Sequence, residues 1–505
     1  GIAMHGSLRP NRFIRSKPVA PGVVGAYHPF GHPVTFLPDS GWQALRAGRF
    51  DALPDWVLQD LVGRRFLMRP GEDEAALLRQ ADSGATGLGE MWLVVVQSCN
   101  MACQYCVVEG NVQDSARRRF QANKTAARET DTAKRPSPVA SDRMTPDIAL
   151  AACDLFERQL RKNGQPNPRV TFYGGEPLLN PAAIRAAVPR LRQIRWPTQA
   201  RPEGVSLLVI TNGQIYDPAL TAFFREHRVM VSVSLDGLKH HHDAVRVNLG
   251  GGGTFDRAVR ALEAYQAAGL GTGICTTIGT HNVNDLPEIA DFFAERFGVA
   301  VEFQIPYDIA VGGNAYYTDM AAAFPKAMEA YERLRRRGLI EGLAYRRVMD
   351  AAAGTFRRAD CSAIGAQITV APDGTIGPCH SLVGERVGFG GSVLDPTYDP
   401  FATEVFQEWA RRMPLTMPDC QDCAAIGLCG GGCPYNALTR TGTIWARDPQ
   451  QCGYMHAFVD WFIDDCWRRY SAAVGATQTP ASPPVTTAPP PGATPAGHEP
   501  PCASP

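Results

Sequence analysis

Cysteine says most about chemistry in this chain: there are 14 in 505 residues, most of them in short-spaced groups. The first group is Cys99-Asn100-Met101-Ala102-Cys103-Gln104-Tyr105-Cys106, three thiols at C-x3-C-x2-C straight after the apolar run Met91 to Val96. That run reads as a buried strand. Three cysteines on one tight loop suit one corner of a metal cluster. Cuboidal iron–sulfur clusters are held by thiolates, and with three from the protein one iron stays open to a substrate or cofactor. Four-thiolate zinc sites usually come as two C-x2-C pairs, or as two Cys with two His, so the loop cannot complete one alone. Zinc or a redox dithiol is the alternative for the loop taken by itself.

The second group lies far downstream: Cys361, Cys379, Cys420-x2-Cys423-x5-Cys429-x3-Cys433 and Cys452, with Gly430, Gly431 and Gly432 inside it. Glycine here suits the close backbone approach and amide-to-sulfur hydrogen bonds that clusters need. Between the two groups stand polar motifs at predicted strand ends. Gly174-Gly175-Glu176-Pro177 pairs two glycines, which let a backbone approach a ligand, with a carboxylate suited to an ammonium. Thr211-Asn212-Gly213 and Ser234-Leu235-Asp236-Gly237 follow, the latter offering hydroxyl-binding acceptors. After His242-Asp243 comes Arg246, a guanidinium that either holds a carboxylate bidentately or forms a structural salt bridge. Gly250 to Gly253 reads as a turn into a helix, and no phosphate-loop or dinucleotide fingerprint is present.

The cysteine loop, with Tyr105 one place before its last Cys, resembles the cluster loop of the radical S-adenosylmethionine (SAM) superfamily. In that family SAM chelates the open iron through its amine and carboxylate, and one electron releases a 5′-deoxyadenosyl radical. The resemblance implies SAM-binding roles for Tyr105, Gly174, Gly175, Glu176, Thr211, Asn212, Ser234, Asp236 and Arg246, with Cys99, Cys103 and Cys106 on the cluster. The downstream array resembles the SPASM extension, and the whole likeness covers roughly residues 90 to 470. It implies two auxiliary 4Fe–4S clusters, three in all: Cys420, Cys423, Cys429 and Cys452 on the outer, Cys361, Cys379 and Cys433 on the inner.

Two departures qualify the resemblance. Sulfatase-maturing relatives carry an extra cysteine near the first of the array, and residues 351–360 here have none. The fourth position of the inner cluster is therefore an open iron, a non-Cys ligand or a substrate. Those relatives also place a catalytic Asp after the second cysteine, where this chain has His380. That disfavours formylglycine formation and leaves His380 as a catalytic proton acceptor, a cluster-side polar group or a structural residue. The implied activity is a maturase that modifies a ribosomally made peptide or protein, by a thioether, carbon–carbon or related crosslink, with a flavodoxin- or ferredoxin-type electron donor. The alternatives are a sulfatase-type maturase and a non-catalytic iron–sulfur or zinc scaffold.

These residues must be held by a scaffold, and its outline is periodic. Strands are expected at 91–97, 169–173, 205–211, 229–235, 273–278 and 301–305, with helices at 146–162, 182–194, 218–226, 255–268 and 286–297. Alternating strand and helix imply an α/β fold with a parallel sheet, which the resemblance closes to a partial (β/α)6 TIM-type barrel. The expected order is an N-terminal extension 1–21, a small β+α module 22–90, the barrel 91–340, the cysteine-rich domain 341–470 and a Pro-rich disordered tail 471–505. The β+α module loosely resembles PqqD-like leader-peptide recognition domains; an ordinary extension packed on the barrel is the other reading. Residues 111–143 form a basic insertion, either a solvated loop or a lid that docks an acidic peptide. Cys153, Cys275 and Cys466 read as packed thiols and Cys502 as incidental.

Composition narrows the classes. Formal net charge is zero with 20% charged residues, which points away from nucleic acid. Hydrophobic content of 45% supports a large core, and no apolar run approaches the roughly 18 residues of a membrane span. Residues 1–7 lack the charged-then-apolar order of an export signal. Many cysteines without such a signal fit metal binding in a reducing cytoplasm better than a disulfide framework.

Overall fold

The computed structural model describes residues 8–30, 34–82, 87–107, 142–196, 204–305, 307, 316–384 and 386–474. The basic insertion, apart from Asp142 and Arg143, lies outside these residues, as does the Pro-rich tail from 475.

Six parallel strands run in chain order across one sheet: β6 (Leu88–Val96), β7 (Gly164–Gly174), β8 (Ser206–Thr211), β9 (Met230–Ser234), β10 (Thr272–Thr277) and β11 (Ala300–Gln304). Strand β6 is buried along its whole length, as a strand covered on both faces must be. Helices Pro146–Asn163, Pro181–Arg192, Pro218–Glu226, Phe255–Ala267 and Leu286–Arg296 follow their strands within two residues of the expected bounds. The first starts where Thr145 Oγ1 accepts from Ile148 N at 3.3 Å, with Pro146 at the first helical position.

The edge of the barrel at β6 does not stay open. β12 (Gln367–Val370) pairs with it in parallel, Gln367 opposite Glu90 and Val370 opposite Leu93, and β13 (Ile376–Gly377) pairs antiparallel with β12. The sheet thus has eight strands, in the order β11-β10-β9-β8-β7-β6-β12-β13. The start of the cysteine-rich region is therefore an extension of the barrel's own sheet. The amide edge of β6, which would otherwise template another chain, is covered.

At the N-terminus, β1 (Arg9–Pro10) pairs with β5 (Leu67–Met68), and β2 (Arg15–Ala20), β3 (Val23–Tyr27) and β4 (Val34–Pro38) form an antiparallel sheet. β3 and β4 pair as an antiparallel hairpin within the expected β+α module, whereas β2 lies before its expected start at residue 22 and is polar and half-exposed. Helices Asp39–Arg46, Asp55–Gly63 and Glu74–Ala81 complete the module. It packs on the last helix, Pro449–Val474: Arg15 pairs with Asp460 at 2.7 Å, and Phe36 lies 5.1 Å from Trp467 and 5.8 Å from Tyr470, centroid to centroid. Among the described residues no helix is long and apolar enough to cross a membrane.

The tightest point of this docking is Gly25, where an added Cβ would lie 2.5 Å from Ile463 Cγ2. Gly25→Val is expected to cost about 1–3 kcal/mol through overpacking. Thermal melting of the purified protein checks it, the variant unfolding below the parent.

Candidate active site

The C-terminal ends of the barrel strands meet at one cavity. Cys99, Cys103, Tyr105 and Cys106 line it from the loop after β6, and Gly174 and Gly175 from the end of β7. Thr211 and Asn212 follow from β8, Ser234 from β9, and Arg246 from just past the short helix Lys239–Val245. His380 reaches the same cavity from beyond β13.

Three sets of contacts hold the loop. First, β7 closes on its root: Gly175 N donates to Val96 O at 2.9 Å and Glu176 N to Ser98 O at 3.2 Å. A Cβ on Gly174 would stand 2.1 Å from Val96 O, and one on Gly175 2.2 Å from Ser98 O. The glycine pair therefore serves an approach to the loop backbone, and both glycines also line the cavity, where the sequence reading had an approach to a ligand. Second, Asn212 Nδ2 donates to Asn100 Oδ1 at 2.8 Å and lies 3.6 Å from Cys99 Sγ. Third, Ala102 N and Gln104 N donate to Val247 O and Val245 O at 2.9 and 3.1 Å.

Two carboxylates expected to face a ligand are engaged inside the protein instead. Glu176 is fully buried and accepts from Leu178 N, Thr211 Oγ1 and Asn212 N at 3.1, 2.8 and 2.8 Å. Burial pushes its carboxyl up to about 7 against these donors. Asp236 is also fully buried. It accepts from the Tyr105 hydroxyl, lies 3.1 Å from Arg246 Nε and 3.2 Å from His281 Nε2, and accepts Thr277 N at 3.2 Å. Burial alone would raise its carboxyl, but the Arg246 charge and His281 outweigh that and hold it well below the usual range. The Arg246 guanidinium carbon in turn sits 5.3 Å over the Tyr105 ring, on which His281 stacks at 5.9 Å. His242 and Asp243 are structural: His242 Nε2 meets Thr254 Oγ1 at 3.0 Å, and Asp243 caps the next helix through Thr254 N and Phe255 N.

On the β6 side the wall is aromatic. Trp92 and His380 stack at 3.9 Å and 14°, and Tyr173 meets both rings edge-on at 5.0 and 5.2 Å. Burial lowers His380 to about 3, so its imidazole is neutral. Trp92, Tyr173, His281, Tyr307 and Cys275 were missed as site residues, since no motif marks them. Trp92, Tyr173, Tyr307 and Cys275 line the cavity, and Cys275 is disulfide-bonded, so the expectation of a packed thiol there does not hold. Cys153 and Cys466 are buried in helices as expected.

The downstream cysteines separate into two places. Cys361, Cys379 and Cys433 are buried in one apolar cluster with Val94 of β6, against which Tyr105, Cys106, Tyr173 and Tyr307 pack. Cys420, Cys423, Cys429 and Cys452 line a second cavity, shared with Arg12, Ile14 and His456, whose Nε2 is 3.4 Å from Cys423 Sγ. Gly430, Gly431 and Gly432 all take left-handed backbone conformations (φ 69°, 89° and 70°), turning the chain between Cys429 and Cys433. His240, His241 and Asp285 also gather closely. There, however, His241 Nδ1 accepts from Leu238 N, so its Nε2 carries the proton that it gives to Asp285.

Residues 93–293 match the radical SAM superfamily. The chain carries a radical SAM domain over that stretch. It is 20% identical over 409 residues to the radical SAM cyclopropyl synthase TigE of Paramaledivibacter caminithermalis, covering 78% of this chain and 80% of that one. It is 22% identical over 275 residues to a cysteine-type anaerobic sulfatase-maturating enzyme of Clostridium perfringens, covering 52% and 72%. Among solved structures, anSMEcpe with bound AdoMet and Cp18Cys peptide superposes with a TM-score of 0.58 at 16% identity, over 75% of this chain and 97% of that one.

The residues of this domain fit the cluster and SAM. Burial pushes the Cys99 and Cys103 thiols up to about 12, so they ionise at neutral pH only against a bound cation, as ligating thiols do. Buried polar atoms without a partner gather here too: Arg246 Nε, despite its nearness to Asp236, and His281 Nδ1 beside the loop, Trp92 Nε1 and His380 Nδ1 on the aromatic wall. Each such atom costs about 1–3 kcal/mol, a cost that a bound polar ligand relieves.

Asp236→Asn removes the charge that balances Arg246 and is expected to cost about 3–5 kcal/mol at neutral pH. The carboxyl of Asp236 is depressed on folding, so its contribution is present above the unfolded value and lost as pH falls through the folded one. The gap between Asp236→Asn and the parent should therefore narrow in strong acid, read by urea unfolding of the cluster-free chain. Gly175→Ala is expected to lose the loop cluster, by iron content and absorbance, because its Cβ would displace Ser98.

Proposed function

We propose that the chain is a radical SAM maturase that modifies a ribosomally made peptide or protein, crosslinking side chains by a thioether, carbon–carbon or related bond. The observation that supports it is the shared wall: Cys106 of the loop packs against the apolar cluster that holds the inner trio Cys361, Cys379 and Cys433, together with Tyr173 and Tyr307. A substrate in the cavity would lie between both. Cys99, Cys103 and Cys106 would hold the 4Fe–4S cluster; Tyr105, Gly174, Gly175, Thr211, Asn212, Ser234 and Arg246 border the space for SAM. When bound, cluster and SAM supply a 5′-deoxyadenosyl radical that abstracts hydrogen from the substrate. The chain's own residues do the rest. Asn212 donates toward the sulfur of Cys99, and Asp236 keeps Tyr105 and Arg246 in place. Glu176 acts through the loop rather than on a ligand.

Cys361, Cys379 and Cys433 are read as an inner auxiliary cluster that accepts an electron or ligates substrate, and Cys420, Cys423, Cys429 and Cys452 as an outer one. His380 borders the cavity next to Cys379, placed to take a proton from the substrate. A flavodoxin- or ferredoxin-type protein is the proposed reductant, in a reducing cytoplasm. The N-terminal three-stranded sheet with three helices has the makings of a leader-recognition module. A sulfatase-type maturase is the second reading, favoured by the fold shared with anSMEcpe over 97% of that chain.

Anaerobically reconstituted protein with SAM and dithionite should release 5′-deoxyadenosine, and Cys99→Ala, Cys103→Ala and Cys106→Ala should each abolish it. Undiminished cleavage in those variants would sink the loop assignment. Incubation with a sulfatase-derived Cys or Ser peptide separates the two readings, since only the second yields an aldehyde. The short reading frames beside the gene supply peptides for the first.

A further inference from the structure

Five arginines are buried among the described residues, and four of them meet a carboxylate. Arg64 lies 2.8 Å from Asp60, Arg246 3.1 Å from Asp236, Arg347 2.6 Å from Asp360 and Arg386 3.2 Å from Asp373. Arg412 is the exception. It has no exposed surface, and among the described residues its guanidinium donates only to backbone carbonyls: Nε to Ile444 O, Nη1 to Gly432 O at 3.0 Å and Nη2 to Ala446 O at 3.1 Å. Asp448 is engaged instead by Cys433 N, Asn436 Nδ2 and Gln450 N, at 3.2, 3.2 and 3.1 Å. A guanidinium keeps its proton inside proteins, and a buried charge without a counter-charge is strongly unfavourable.

The place of Arg412 names the source of that counter-charge. Three positions before it, Trp409 is packed with Cys361, Cys379 and Cys433; two positions after it, Pro414 lines the cavity of Cys420, Cys423, Cys429 and Cys452. Gly432, whose carbonyl it holds, belongs to the glycine turn that joins Cys429 of the outer set to Cys433 of the inner. A Cβ on Gly431 would lie 3.4 Å from Nη1. Burial disfavours the Arg412 charge, and Cys433, Asp448, Cys429 and Cys420 are the groups whose negative charge would restore it. Seven thiols on two sides of one unpaired cation fit anionic, thiolate-held clusters.

We propose that Arg412 is the shared counter-charge of the two auxiliary clusters, holding one permanent positive charge at the seam between them and so favouring their reduced form. The proposal rests on reading the seven downstream cysteines as ligands of those clusters. An electron entering a cluster adds one negative charge and no atom, and a fixed cation in a low-dielectric interior favours that added charge. Crosslinking removes two hydrogens from a substrate: one leaves as an atom to the deoxyadenosyl radical, the other as a proton and an electron. Arg412 makes the auxiliary clusters better acceptors of that electron.

The test uses the full-length reconstituted chain carrying Cys99→Ala, Cys103→Ala and Cys106→Ala, so that only the auxiliary clusters contribute. Iron at about eight atoms per chain checks the cluster reading by itself; iron near zero would end that reading and the proposal together. In EPR-monitored redox titration, Arg412→Gln should be harder to reduce than this parent by about tenfold or more in the one-electron equilibrium, about 59 mV per tenfold. Arg412→Lys, which keeps the charge without the planar fork, should stay close to the parent. Loss of iron from Arg412→Gln but not from Arg412→Lys supports the proposal as well, because the clusters then require the charge. Equal potentials in Arg412→Gln and the parent, with iron unchanged, overturn the proposal and leave the cluster reading standing. Equal shifts or equal iron loss in both variants overturn it too, since Arg412 would then be no more than a clasp for three carbonyls.

Discussion

A single buried carboxylate ties this site together. Asp236 joins the cluster loop through Tyr105, the segment after the Lys239–Val245 helix through Arg246, and the end of β10 through Thr277 and His281. A charge taken out of water is tolerated only when paired and hydrogen-bonded, and each of these partners contributes to that. The loop, which carries little apolar surface of its own, thereby takes its position from the barrel ends. The backbone bonds from Gly175 and Glu176 complete the attachment, and they exist only because no Cβ intervenes.

The second constraint is the sheet edge. By pairing with β6, the strand β12 brings the following turn, with Cys379 and His380, onto the wall of the barrel. The inner cysteines consequently share an apolar cluster with the loop, whereas the outer four lie beside the N-terminal module and the last helix. The N-terminal sheet and the helix Pro449–Val474 bury one another's aromatic faces, so both flank the outer cysteines as one packed unit.

Much of this was legible beforehand, for local reasons. Continuous apolar runs such as Leu88–Val96 announce strands buried on both faces, and Thr145-Pro146 announces a helix start. What escaped was weakly patterned: β2 with its charges and Pro18, the polar first half of β7 around Pro166 and Pro168, and the short β12. Their pairing comes from neighbours far away in sequence, which no local period encodes. The site was partly legible in the same way. Spaced cysteines and glycines declare themselves, but Trp92, Tyr307 and His281 stand in no motif.

By itself, the sequence determined which cysteines stand in short-spaced groups and that alternating strands and helices would carry them, because spacing and periodicity act within a few residues. Only the tertiary structure decided that Asp236 and Glu176 face inward, that the glycine pair meets the loop, and that Cys275 looks into the cavity. Those outcomes depend on contacts such as Tyr105 to Asp236, 131 positions apart, where burial and the competition for hydrogen-bond partners choose which polar groups the protein satisfies and which it leaves for a ligand.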